Sequence, residues 1–315
     1  MKKTLIALAA VAVSTGAMAQ ATISGNFTFG YNASETAGVK ASGLGYDTAE
    51  IRFSASEDLG GGLTASASFG LENINRSGDG SVSDTAATAS SLSLRGGFGT
   101  IAMGTSKIGN GLRGLGEAGA PVQNLEGEVF GSAVYRDGIS YTAPKMGDFT
   151  FSIGHTEGAA NPGGDQKNST VQNSNTLAAV YSAGAVNARI DTTLYGKKDL
   201  SATAAKNRYR ISGNYDLGVA KVGAGYSSLK AKGDTKTTET LLGVSAPIGA
   251  FTVGAVFATQ QAETAGVKAA KKSGNSFGVE YALSKRTSII ATQASWKTKG
   301  AKSDKETNIL VSHSF

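Results

Sequence analysis

The chain has 315 residues, of which 43 are Gly, 4 are Pro and none is Cys; 40% are hydrophobic and the formal net charge is +6. Without Cys it cannot staple itself with disulfides or build a thiolate metal site, so the backbone must close its structure by hydrogen bonding. Strands that seldom hold two large apolar residues in a row exclude a conventional soluble sandwich, whose core needs such runs.

The N-terminus reads as an export signal. Met1, Lys2 and Lys3 are a basic start, residues 5–13 are a short apolar core, and Ala17-Met18-Ala19 is a small-residue cleavage site. The apolar stretch is too short for the ~20 residues of a spanning helix. The expected organisation is a signal peptide over 1–19 and one mature domain over 20–315.

The first run beyond it places Ile23, Phe27, Phe29 and Tyr31 on one face and Ser24, Asn26 and Thr28 on the other. This period of two marks a strand, because successive side chains point to opposite faces of a sheet. Short reversals follow at 57–62, 96–99, 144–148, 183–184, 216–218, 247–249 and 284–286, rich in Gly, Pro and Asp. Between them lie stretches read as longer polar loops, roughly 34–48, 73–85, 107–134, 157–175, 197–206, 230–239, 259–275 and 297–306. Seven short turns and eight long loops make fifteen connections, hence sixteen strands. All four Pro fall in loops or turns, where no ladder bond is lost. The last run repeats the opening pattern, with Ile309, Val311 and Phe315 on one face.

One face of every strand is apolar and the other is Ser, Thr, Asn, Gly or charged. That describes a barrel with an apolar outside and a wet inside. In lipid every backbone polar group must find a partner, so the sheet has to close. The expected fold is all-β, a sixteen-stranded antiparallel transmembrane β-barrel.

Four stretches carry a more specific resemblance: 56–63 (Ser-Glu-Asp-Leu-Gly-Gly-Gly-Leu), 97–100 (Gly-Phe-Gly-Thr), 281–287 (Tyr-Ala-Leu-Ser-Lys-Arg-Thr) and the final His313-Ser314-Phe315. In this order and spacing the whole mature chain resembles the general diffusion porins of Gram-negative outer membranes, the trimeric sixteen-stranded type of beta-proteobacteria. The resemblance implies an outer-membrane homotrimer, a passive water-filled channel for small hydrophilic solutes and ions, and no enzymatic activity or cofactor. It implies that the loop at 107–134 is a third loop folded into the lumen. It also implies that Phe315 belongs to a signal read by the outer-membrane assembly machinery.

Within that frame, Glu126 and Glu128 on the loop face Arg136, Arg52 and Glu50 on the wall, and these five residues are the expected constriction. Glu117 is a third loop acid. The family's second-strand Arg is displaced to Arg52, and a further family Arg is replaced by Thr105, so only a weak anion preference is expected. Arg189, Asp191, Arg208 and Arg210 also fall on the inward face by alternation, where solvation of the lumen is the simpler role.

Other readings fail on the residues. The sequence Gly109-Asn110-Gly111-Leu112-Arg113-Gly114 matches a dinucleotide fingerprint but lacks the strand–helix context that gives it meaning. His155 and His313 are the only histidines, far apart and both on the outward face, which argues against a metal cluster or a Ser-His hydrolase. The pI near 9.3 reflects lysines scattered over loops, expected to face anionic outer-membrane lipid rather than nucleic acid. A substrate-specific channel would need an aromatic ladder in the lumen, and an adhesin a passenger or plug.

Overall fold

A computed structural model describes residues 20–72, 86–158, 171–196 and 204–315. The expected signal peptide, the loop at 73–85 and much of the stretches 157–175 and 197–206 lie outside these.

Sixteen strands form the wall: β1 (Gln20–Thr36), β2 (Val39–Gly60), β3 (Leu63–Glu72), β4 (Ala86–Gly96), β5 (Gly99–Ile108), β6 (Val134–Thr142), β7 (Phe149–Thr156), β8 (Ser174–Ala183), β9 (Val186–Tyr195), β10 (Ala205–Asp216), β11 (Lys221–Ala231), β12 (Thr235–Ile248), β13 (Phe251–Thr264), β14 (Lys272–Ala282), β15 (Thr287–Thr298) and β16 (Asp304–Ser314). Each pairs antiparallel with its chain neighbours, and β1 pairs with both β2 and β16, closing the ring. A two-residue segment, Val267–Lys268, folds back on the end of β13. At the seam, Gly25 and Phe315 exchange both backbone hydrogen bonds, at 3.0 and 3.1 Å.

The faces are inverted relative to a soluble protein. Ile23 (63% exposed), Ile190 (59%), Leu177 (56%) and Ile309 (55%) look outward, while Thr28, Ser212, Ser227, Ser276 and Asn308 are buried inward. An apolar band of this kind is stable only against hydrocarbon. Aromatic pairs sit where strands meet the short turns: Phe149 with Tyr181 at 5.0 Å and Phe251 with Tyr281 at 4.7 Å. Both His155 and His313 share the outward face with Ile139 and Phe27, their register neighbours.

Every expected short turn is observed, but several expected long loops are not loops. β1 and β2 continue through 34–48 and reverse at Ala37-Gly38, both with positive φ (53° and 86°). The same two-residue reversal occurs at Ala265-Gly266 (φ 48° and 82°), and Gly233-Asp234 (φ 63° and 52°) has the same signs. Positive φ at both central residues is the hairpin turn whose twist matches the strands. Above the bilayer both faces of a strand meet water, so apolar alternation disappears while the ladder continues. Composition then resembles a loop.

Candidate functional site: the lumen and its inserted segment

The inward face of the wall is mostly polar, but among the described residues it carries one clustered apolar patch. Leu241 on β12, Val256 and Ala258 on β13, and Ala294 and Trp296 on β15 face inward, and all are buried. They are covered by Leu112, Leu125, Val129 and Phe130, from the segment between β5 and β6. That segment, 109–133, is therefore inside the barrel. It opens with a single helical turn, α1 (Arg113–Gly116), and its backbone then crosses the wall strand by strand. Leu115 O accepts from Asn214 Nδ2 (3.4 Å) on β10, Ala118 O from the Ser245 hydroxyl (2.6 Å) on β12, and Gln123 Oε1 from Asn308 Nδ2 (3.3 Å) on β16.

Such close backbone approach needs wall positions without a side chain. A Cβ on Gly243 would strike the backbone of Gly116 and Glu117, and one on Gly278 would strike Pro121. Their register partners Gly223 and Gly254 also face the segment, so the inward glycines form a track across β11 to β14. The alternation rule expected a wet inner face throughout; the apolar patch is the dry seat of this segment.

The five expected constriction residues occupy separate stations. Glu50 and Arg52 face inward on β2, in register with Asn26 and Ser24 on β1. Glu50 lies opposite Glu72 on β3. Two carboxylates directly opposite repel, and Glu72 is answered by the Tyr135 hydroxyl, which donates to its Oε1 at 3.0 Å. Tyr135 is on β6, three strands away, roughly 14 Å along a flat sheet. The contact is possible because β4 and β5 stop pairing at Ser90 and Thr105, whereas β5 and β6 continue to Ile108 and Val134. The β5/β6 tip leaves the wall and leans into the lumen. Lys107 rests over the Tyr135 ring, 5.6 Å from its centroid.

Arg136, next in sequence, turns to the other side of that tip. It lines a cavity of ≈ 470 Å³ with Arg208, Arg210 and Glu239. Glu126 faces its own segment. Its carboxylate accepts from Arg113 Nη1 (3.2 Å) and from the Asn110 amide. Arg113 also holds Glu117, Nε to Oε1 at 2.8 Å. Burial is the main cause that raises the Glu117 carboxyl above the usual range, against the lowering effect of Arg113. Glu128 lies at the far end of the segment. Its carboxyl is also raised, first by burial and then by the Glu306 and Asp304 carboxylates, with Lys272 opposing.

Sequence reasoning gave no site role to Arg113, Glu72 or Tyr135. Arg113 carried a signal in its four-residue spacing from Glu117, and Tyr135 in its place beside Arg136 in the wall motif that follows the loop. Among the described residues no three His, Cys, Asp or Glu side chains are grouped to hold a metal ion.

A closed sixteen-stranded barrel with an apolar exterior, a polar bore and a segment seated inside it is a transmembrane channel of the outer-membrane kind. The comparisons agree. The family model described as Gram-negative porin matches residues 4–301, and the chain belongs to that family. It is 28% identical to outer membrane porin protein 32 of Delftia acidovorans over 96% of this chain and 91% of that one. Among solved structures it is similar to the anion-selective porin from Comamonas acidovorans, with a TM-score of 0.73 and 22% identity, covering 94% of this chain and all of that one. It also resembles OmpT of Vibrio cholerae in its trimer form, with a TM-score of 0.71 and 12% identity, covering 94% of this chain and 99% of that one. The protein is an outer-membrane porin, a passive water-filled channel for small hydrophilic solutes and ions.

Proposed function

We propose that the chain acts without catalysis, as a homotrimer with one pore per chain and a weak preference for anions. The carrying observation is the placement of 109–133 against the inner wall of β10 to β16. This leaves the solute path between that segment and the rest of the wall, β1 to β9, passing on both sides of the β5/β6 tip. Arg52 and Arg136 supply positive potential along the path, Glu50 and Glu128 oppose it, and Glu126 is largely spent on Arg113. The relative from Comamonas is anion-selective by its description. On the same reading, residues 1–19 are a cleaved export signal, Phe315 is read by the assembly machinery, and the apolar band meets outer-membrane lipid.

Purified protein in a planar bilayer tests this by its reversal potential under a salt gradient at low ionic strength, where screening is weakest. The expected sign is that of a modest anion preference, moved toward cations by Arg136→Ala. A cation-selective wild type, or no shift on that substitution, overturns the assignment.

A further inference from the structure

The cavity between the root of the inserted segment and β6 to β10 contains more positive charge than its neighbours neutralise. Arg136, Arg208 and Arg210 line it. Arg208 and Arg210 are inward on β10, since Tyr209 and Ile211 between and beyond them are 53% and 56% exposed on the outer face. Arg210 donates from Nε to Asp191 Oδ1 at 2.8 Å, and Asp191 also takes Arg189 Nε at 3.1 Å. Asp191 is therefore shared by two guanidinium groups. Glu239, the acid that lines the cavity, is held by Asn110 Nδ2 (3.2 Å) and Gln260 Nε2 (3.1 Å). Neither acid is paired with Arg208 or Arg136. Arg136 donates from Nη1 to the Tyr135 carbonyl at 2.9 Å. Arg208 has no ion-pair partner among the described residues, and its Nε is buried without an acceptor.

A buried donor left empty is costly, and a guanidinium presents its donors as a planar fork that fits two oxygens of one anion. Arg210 is held by Asp191 and lies close against the segment root, where a Cβ on Gly111 would come within 2.5 Å of its Nη1. A volume of ≈ 470 Å³ has ample room for a small oxyanion with its water, and the guanidinium groups rather than the volume would select it.

We propose that this cavity is a solute subsite for small oxyanions, phosphate or a short dicarboxylate, with Arg208 as its specificity-determining residue and Arg136 and Arg210 flanking. It lies apart from Arg52 and Glu50, on the opposite side of the β5/β6 tip. The proposal rests on the porin reading above and goes beyond it, because it assigns a saturable site to a channel otherwise governed by diffusion.

The test measures chloride current through single channels while inorganic phosphate, or malonate in a second arm, replaces chloride at constant ionic strength. Wild type should show a saturable fall in current. In Arg208→Gln the half-blocking concentration should rise by about tenfold, the loss expected for one charge-assisted bidentate contact. Block by phosphate alone assigns the site to phosphate, and block by both assigns it to oxyanions generally. Arg52→Gln should leave the half-blocking concentration where it is while moving the reversal potential. Each variant's heat-modifiable mobility confirms that it is folded. Failure of wild type to conduct would defeat the porin reading itself. Conduction with a strictly linear response to either anion, or equal block in wild type and Arg208→Gln, overturns the subsite alone.

Discussion

Arg113 changes what the acids of the inserted segment contribute. One guanidinium held between Glu117 and Glu126, at 2.8 and 3.2 Å, leaves that group of three a single negative charge. Replacing it by Gln should release a second charge toward the path. Unit charges ~8 Å apart interact by about 0.5 kcal/mol at bulk-water dielectric, a roughly twofold rise for cations and a roughly twofold fall for anions, hence about a fivefold change in their local ratio. The reversal potential of Arg113→Gln should move toward cations by that order, and an unchanged value would place the triad away from the path. Glu117 and Glu128 both contribute pH dependence, and Glu128 is the more separable of the two. Its carboxyl is raised by burial, then by Glu306 and Asp304, so it takes up its proton at a higher pH than an ordinary carboxylate. Anion preference should therefore grow as pH falls through that window, and the change should be smaller in Glu128→Gln, where of the two only Glu117 remains to take up a proton early. The folded protein binds this proton more tightly than the unfolded chain, so acidification through the same window adds stability from this group. At this scale the sequence showed which charges point inward, because parity settles that. It could not show their partners, since Tyr135 reaches Glu72 only through the parting of β4 from β5.

At the scale of elements, the inserted segment is a packed part rather than a loose flap. Phe130 is 2% exposed, Leu112 and Val129 are fully buried, and all three rest on Leu241, Val256 and Trp296. Truncating Phe130 to Ala should weaken the seat by about 3–5 kcal/mol. The expected record is noisier single-channel current with little change in the barrel's melting. Current as quiet as wild type would mean that the hydrogen bonds to Asn214, Ser245 and Asn308 hold the segment without the apolar seat. Gly243→Val tests the glycine track independently: its side chain meets backbone at Gly116 and Glu117, so the segment must shift and the open-channel conductance with it. The segment's length and acids made it conspicuous in the sequence. Its seat was legible too, in the inward apolar positions Leu241, Val256 and Trp296 that break the two-residue rhythm, but only once the register was known. The polar stretches at 34–48, 230–239 and 259–275 misled for the opposite reason, because water on both faces erases the rhythm while the ladder continues.

For the whole molecule, closure is the decisive event, and it depends on few residues. Phe315 bonds Gly25 through the backbone, and a Cβ at Gly25 would collide with its ring, so the aromatic lies over the glycine. Gly25→Leu should displace that ring and lower the yield of heat-modifiable trimer. Deleting Phe315 should lower it further while export continues, and wild-type amounts of assembled trimer in the deletion would remove Phe315 from any assembly role. Strand number, antiparallel order and inside-out polarity were all readable from turns and alternation, since both follow directly from the chemistry of one strand in lipid.

The seam between β1 and β16 also sets the timing of folding. The Asn26 amide meets Ser312 across 286 residues, a loop whose closure entropy is about 5 kcal/mol and whose search is correspondingly slow. Until that meeting, every partly built sheet carries two unpaired edges ready to recruit another chain. A defect at the seam would therefore lengthen a vulnerable interval rather than loosen a finished object. It would be recorded as missing protein, lost to aggregation, and the molecules that did close would look ordinary.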